Sequence, residues 1–165
     1  MRALAFAALL VAVGAPAFAA PVAPAFTLRL LDSHETFDSR DALEKKVLVV
    51  RFQASWCRPC AREAAALERL YERYRGRGVE VIGVQVQDTA VDARRFLRTH
   101  GATYLAGLDP HLTVANRFGL RGTPYTVVIG RDGRVVARIH GESAVRRLPR
   151  ILDPLVQSPA EAPSR

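Results

Sequence analysis

Two dense apolar runs constrain this chain more than anything else in it: "VLVVRFQ" at residues 47–53 and "VEVIGVQV" at residues 79–86. Both are short, rich in β-branched residues and continuous rather than alternating. That is the pattern of strands buried on both faces. Between them, "AREAAALERLYERYR" places Ala64, Leu67, Leu70, Tyr71 and Tyr74 at helical spacing, and Gly76 and Gly78 end the helix. Strand, helix and strand make a βαβ unit whose two strands run parallel.

The flanking segments extend this unit. "FTLRLL" alternates apolar and polar residues as an edge strand does, and "DSHETF" turns back. Ser39 or Asp41 is placed to cap a short helix through Leu43. Thr89 with Asp92 is a capping-box-like start for "AVDARRFLRTHG", which Gly101 closes. "PHLTVANRFG" reads as a short helix. "YTVVIG" at 125–130 is a further strand, and Arg131-Asp132-Gly133-Arg134 turns the chain into the return strand "VVARIHG". A last helix is expected over about 142–157, bent near Pro149 and Pro154. The βαβ unit followed by a ββα unit predicts an α/β fold with a mixed central sheet and helices on both faces. The domain is expected over 26–157, with 20–25 a flexible lead-in and 158–165 a disordered tail.

A chain of 165 residues, 49% of them hydrophobic, is enough for one domain with a real core. The formal charge of +8 rests mostly on arginines spread along the chain without a dense basic run. The expectation is a solvated basic surface and no nucleic-acid partner. The N-terminus reads as an export signal: Arg2, an apolar run over 3–13, the breakers Gly14 and Pro16, then Ala17-Phe18-Ala19 as a small-x-small cleavage site. The run is shorter than the roughly 20 residues of a membrane span. Residues 1–19 are therefore expected to be removed and the protein to be periplasmic. The alternative is an uncleaved anchor that leaves the domain facing the periplasm, the one case in which a membrane is a partner.

The only cysteines are Cys57 and Cys60, within "RFQASWCRPCARE". A permanent bridge across two residues closes a very small loop and makes a poor staple. A metal clip is the other alternative, but one C-x-x-C offers two ligands where structural zinc uses four. His34, His100, His111 and His140 are scattered singly. The plausible metal version is a Cu(I) carrier on two thiolates. No metal and no cofactor are expected. A reacting pair fits better. Cys57 at a strand end and helix start faces the free N–H groups of the first turn, which stabilise a thiolate. In such settings a cysteine pKa falls from about 8.5 toward about 3.5–7. Cys60 lies one turn further in, and Pro59 stands where an N–H is expendable. Thr123-Pro124, directly before a strand, is a second signal: a rigid turn at the sheet edge that a cis bond would suit.

In order and spacing, "ASWCRPCARE", "VIGVQVQD", "FGLRGTPYTVVIGRDGRVVARIHG" and the export signal resemble the TlpA/ResA-like group of thioredoxin-fold thiol–disulfide oxidoreductases, over roughly residues 24–145. The resemblance implies a thioredoxin-like three-layer sandwich. It implies Cys57 as nucleophile, Cys60 as resolving cysteine and Pro124 as a cis-proline beside them, with Trp56 and Thr123 against the substrate. It also implies protein disulfides or dithiols as substrates, haem-binding cysteines of apocytochrome c among them, and a membrane electron donor. The direction implied is reduction. Disulfide oxidation or isomerisation is the alternative, since Arg51 and Arg58 would both favour thiolate. This chain departs from the group at Ala65 and Leu105, where proline is common. It departs again at Arg51, six before Cys57, where a neutral or acidic residue is usual. Arg51 inside a buried strand needs a partner or a route to solvent. Asp88, at the end of the next strand, is expected either to cap the helix at Ala90 or, with Arg51, to lie beneath the cysteines and handle protons. The export reading predicts that mass spectrometry of the protein from its host finds a mature N-terminus at Ala20; one at Met1 would mark the anchored form.

Overall fold

The computed structural model describes residues 20–43 and 45–157. The expected export signal and C-terminal tail lie outside the described residues. The elements in chain order are β1 (Thr27–Arg29), β2 (Thr36–Asp38), α1 (Ser39–Leu43), β3 (Val47–Gln53), α2 (Arg58–Arg75), β4 (Val79–Val86), α3 (Ala90–Thr99), β5 (Leu105–Asp109), α4 (Thr113–Arg117), β6 (Tyr125–Ile129), β7 (Val135–His140) and α5 (Ala144–Gln157).

Five strands form one mixed sheet in the order β5-β4-β3-β6-β7. β3, β4 and β5 run parallel; β6 is antiparallel to β3, and β7 to β6. All seven residues of β3 and all eight of β4 are buried, in keeping with their predominantly apolar, β-branched composition, and the burial takes in Arg51, Gln53, Glu80 and Gln85 as well. Successive side chains on β3 point to opposite faces. Arg51 meets Glu63 of α2 on one face, while Phe52 packs on Phe118, just past α4, on the other. Helices thus cover both faces, giving the three layers of a thioredoxin fold. Tyr74 of α2 donates to Asp153 of α5 at 2.8 Å, tying these two helices together. On the opposite face Phe26 and Phe37 of the β1–β2 hairpin region join Phe118.

Three segments differ from the sequence expectation. β5 was not anticipated, because "LAGLD" has a half-exposed pattern and a central glycine. That glycine is required: a Cβ on Gly107 would collide with the Arg29 carbonyl and sit 2.6 Å from Leu28. Residues 20–25 were expected to be a flexible lead-in. Instead they are stitched to the β6–β7 turn, with Ala23 N donating to Gly133 O and Val135 N to Pro21 O, both at 2.9 Å. Free backbone groups at a sheet edge attract such pairing. The last helix begins at Ala144 rather than Glu142. Among the described residues, no helix is long and apolar enough to cross a membrane.

Leu67 is fully buried where α2 meets the sheet. Leu67→Ala is expected to lower the unfolding free energy by about 2–5 kcal/mol. The control Val136→Ala, at an exposed position of β7, should stay within about 0.5 kcal/mol. Urea unfolding of both variants checks this, and equal small losses would contradict the packing.

Candidate active site

β3 ends at Gln53, and residues 54–56 carry the chain into α2. Cys57 is the N-cap of α2: its backbone is extended and its Sγ accepts the Cys60 N–H at 3.2 Å. Pro59 sits in the first turn, where no intrahelical donor is lost. The two sulfurs are bonded as a disulfide. Cys60 is fully buried, whereas Cys57 keeps 4% exposure. Of the two, Cys57 is the one that reaches solvent at all. In the reduced state it would face the donors of a helix N-terminus, the setting that lowers a thiol pKa.

Pro124 is buried and follows a cis peptide bond from Thr123. Its position relative to the pair follows from register. Tyr125 pairs with Phe52 at the C-terminal end of β3, so Pro124 lies at the end of the sheet from which the chain leads to Cys57. Proline offers no N–H there, leaving no backbone donor from that residue. Trp56 is 57% exposed, and its indole Nε1 donates to the carbonyl of Gln87 at 3.1 Å. Gln87 has a left-handed backbone, with φ 48°.

Asp88 and Arg51 are both near this end, in different roles. Asp88 does not cap α3; Thr89 does, accepting from the Asp92 N–H. Asp88 instead accepts from Ser55 N at 2.7 Å, Ser55 Oγ at 2.8 Å and Thr89 N at 2.9 Å. It braces the turn just ahead of Trp56 and Cys57. Arg51 does not reach solvent. It is fully buried, its Nη2 2.8 Å from Glu63 Oε2 and its Nη1 donating to Thr126 Oγ1 at 3.0 Å. Its charge is matched by Glu63, so it is not a net positive charge offered to the cysteines.

Glu63 was missed in the sequence because it sits in the polar stretch of a long helix. The available signal was its place three residues after Cys60, on the same helix face, opposite a strand arginine in want of a partner. Gln53 and Tyr104 extend this polar layer under α2, with Gln53 Nε2 donating to Tyr104 Oη at 3.1 Å. Burial pushes the Tyr104 phenol up to about 12, keeping it neutral and able to share that bond. Among the described residues, no three His, Cys, Asp or Glu side chains gather as a metal site.

Residues 19–138 match the AhpC/TSA family. The chain belongs to that family. It is 34% identical over 146 residues to the thiol:disulfide interchange protein HelX of Rhodobacter capsulatus, covering 88% of this chain and 81% of HelX. It is 28% identical to the thiol–disulfide oxidoreductase ResA of Bacillus thuringiensis, over 64% of this chain and 61% of ResA. A thioredoxin-family thiol:disulfide interchange protein from Chlorobium tepidum has the same fold. Its crystal structure superposes with a TM-score of 0.76 at 22% identity, over 86% of this chain and 99% of that one. This AhpC/TSA member is a thiol–disulfide oxidoreductase, with its one cysteine pair at the head of α2.

The buried Arg51–Glu63 pair makes its own prediction. Arg51→Met leaves a buried carboxylate without its cation and should cost about 3–5 kcal/mol. The double variant Arg51→Met/Glu63→Leu should recover most of that loss. A double-mutant cycle by equilibrium unfolding measures the coupling, and strictly additive losses would mean that there is none.

Proposed function

We propose that this oxidoreductase is exported and reduces disulfides of periplasmic proteins, the haem-binding cysteines of apocytochromes c among them. The observation that carries the reading is Cys57, a slightly exposed residue that caps α2 through its Sγ and is bonded to a fully buried Cys60. The likeness to HelX and the export signal support the compartment and the substrate class.

In the proposed reaction the Cys57 thiolate attacks one sulfur of a substrate disulfide. The other substrate sulfur leaves as a thiolate, and a mixed disulfide forms. Cys60 loses its proton and attacks Cys57 Sγ, releasing the second substrate sulfur and closing the Cys57–Cys60 bond. Two electrons have passed to the substrate, and a membrane donor returns them to the pair. Asp88 takes up the Cys60 proton, directly or through water; a carboxylate has more acceptor sites than the three bonds it makes here. Arg51, paired with Glu63, adds no net charge beneath α2. Trp56 and Thr123 contact the substrate chain on either side of the pair.

Cys57→Ser should abolish reduction of insulin, and Cys60→Ser should accumulate a mixed disulfide visible on non-reducing gels. In the reduced protein Cys57 should react faster than Cys60 with iodoacetamide at neutral pH. Asp88→Asn should slow resolution in stopped-flow exchange and spare the first attack. A faster Cys60 would reverse the two roles, and an unchanged second step would leave Asp88 as a brace alone.

A further inference from the structure

We propose that a basic cleft beside the Thr123–Pro124 turn binds acidic side chains that flank the reacting cysteines of a protein substrate. The proposal rests on the exchange reaction above and adds to it a preference among substrates.

The cleft has a volume of about 460 Å³ and is lined by Arg117, Arg121, Arg138 and His140, with Tyr125 at its base. Among the described residues, no aspartate or glutamate lines it. Among the described residues, none of the three guanidiniums has a carboxylate within 4.0 Å, whereas Arg40, Arg51, Arg62, Arg77, Arg94, Arg95 and Arg134 each have one. Two of the three are held in place by neutral oxygens. Arg117 Nη1 donates to Ala25 O at 3.1 Å. Arg138 Nη1 donates to Phe118 O at 3.1 Å and to Tyr125 Oη at 3.0 Å, and the Tyr125 hydroxyl itself donates to Phe118 O. Carbonyls and a phenol fix the direction of a guanidinium without cancelling its charge. They also leave N–H groups over, which a carboxylate takes in a bidentate pair.

The cleft's position gives it a use. Tyr125 pairs with Phe52 on one side and His140 on the other, and Gly141 N donates to Pro124 O at 2.9 Å. The cleft therefore lies at the end of the sheet that leads to Cys57, next to the turn carrying Pro124. Arg58, exposed and directly after Cys57, adds another guanidinium with no carboxylate within 4.0 Å among the described residues. A chain held to Cys57 by a mixed disulfide and lying along the turn brings its neighbouring residues over the cleft. Exposed charges of this kind act mainly on the rate of productive encounter, and salt screens them.

The test uses the full-length protein and three disulfide-bonded peptides identical except for flanking Asp, Ser or Lys residues. At low ionic strength, kcat/KM for the Asp peptide should exceed that for the Lys peptide about tenfold, the scale of a few exposed ion pairs acting together. The difference should shrink toward parity as sodium chloride is raised, a measurement that needs no variant. Arg117→Glu/Arg121→Glu should reverse the order. Equal rates for all three peptides, or an order that survives both salt and charge reversal, would overturn the proposal while leaving the oxidoreductase reading intact. If none of the peptides is reduced, both fail. Inhibition by inorganic phosphate beyond that of chloride at matched ionic strength, without any preference among peptides, would make this a site for free anions and overturn the assignment to substrate.

Discussion

Strand β3 is hydrogen-bonded on both sides along most of its length, to β4 in parallel and to β6 in antiparallel register. That double ladder fixes where the strand stops. Everything reactive is placed by the stop: residues 54–56 turn off the end of β3, and Cys57 opens α2. The same ladder brings the start of β6, and with it Pro124, to that end of the sheet. A one-residue slip of β3 would exchange Arg51 for Phe52 beneath α2 and lift both aromatic and ionic contacts out of register. The chemistry of the cysteine pair is thus inherited from backbone pairing rather than from contacts of the cysteines alone.

Beneath α2 the core is not uniformly apolar. Arg51, Gln53, Gln85, Thr126 and Tyr104 are all buried. The Glu63 and Thr126 contacts offset much of the desolvation of Arg51, while its Nε and both side-chain polar atoms of Gln85 have no partner among the described residues. A buried ion pair contributes little net stability compared with a well-packed apolar replacement. Its presence here ties strand β3 to α2 at one fixed register, through Arg51 on the strand and Glu63 on the helix.

Much of this arrangement was legible in the residues. β3, β4 and α2 carry strong, uninterrupted periodicity, and the order of elements with a cysteine pair at a strand–helix junction leads directly to the fold and the reacting sulfurs. β5 was not legible because Gly107 and a half-exposed Leu105 break its apolar signal, and because its Asp109 serves another element. That carboxylate accepts from the amides of Thr113, Val114 and Ala115 and so starts α4. Glu63 and Asp88 were hard to assign for a common reason. Each is defined by a partner far away in sequence, Arg51 for one and Ser55 for the other, and local pattern carries no record of such pairs. In the lead-in, Ala and Pro composition signals flexibility, whereas its backbone groups pair with the β6–β7 turn through contacts that local composition does not record.

That edge pairing has a consequence for orientation. Ala20 accepts a hydrogen bond from Arg134 at 2.6 Å, in the β6–β7 turn, and Ile129 just before this turn pairs with Leu48 near the start of β3. The chain therefore enters the domain at the pole of the sheet opposite Cys57, about five residues of strand away. At about 3.3 Å per residue, the two poles are separated by the full height of the sheet. A tether leaving through Ala20 would hold the domain by its base and turn the disulfide outward, toward whatever diffuses past. Freed of any tether, the molecule would keep the same polarity, with its covalent origin and its chemistry at opposite ends.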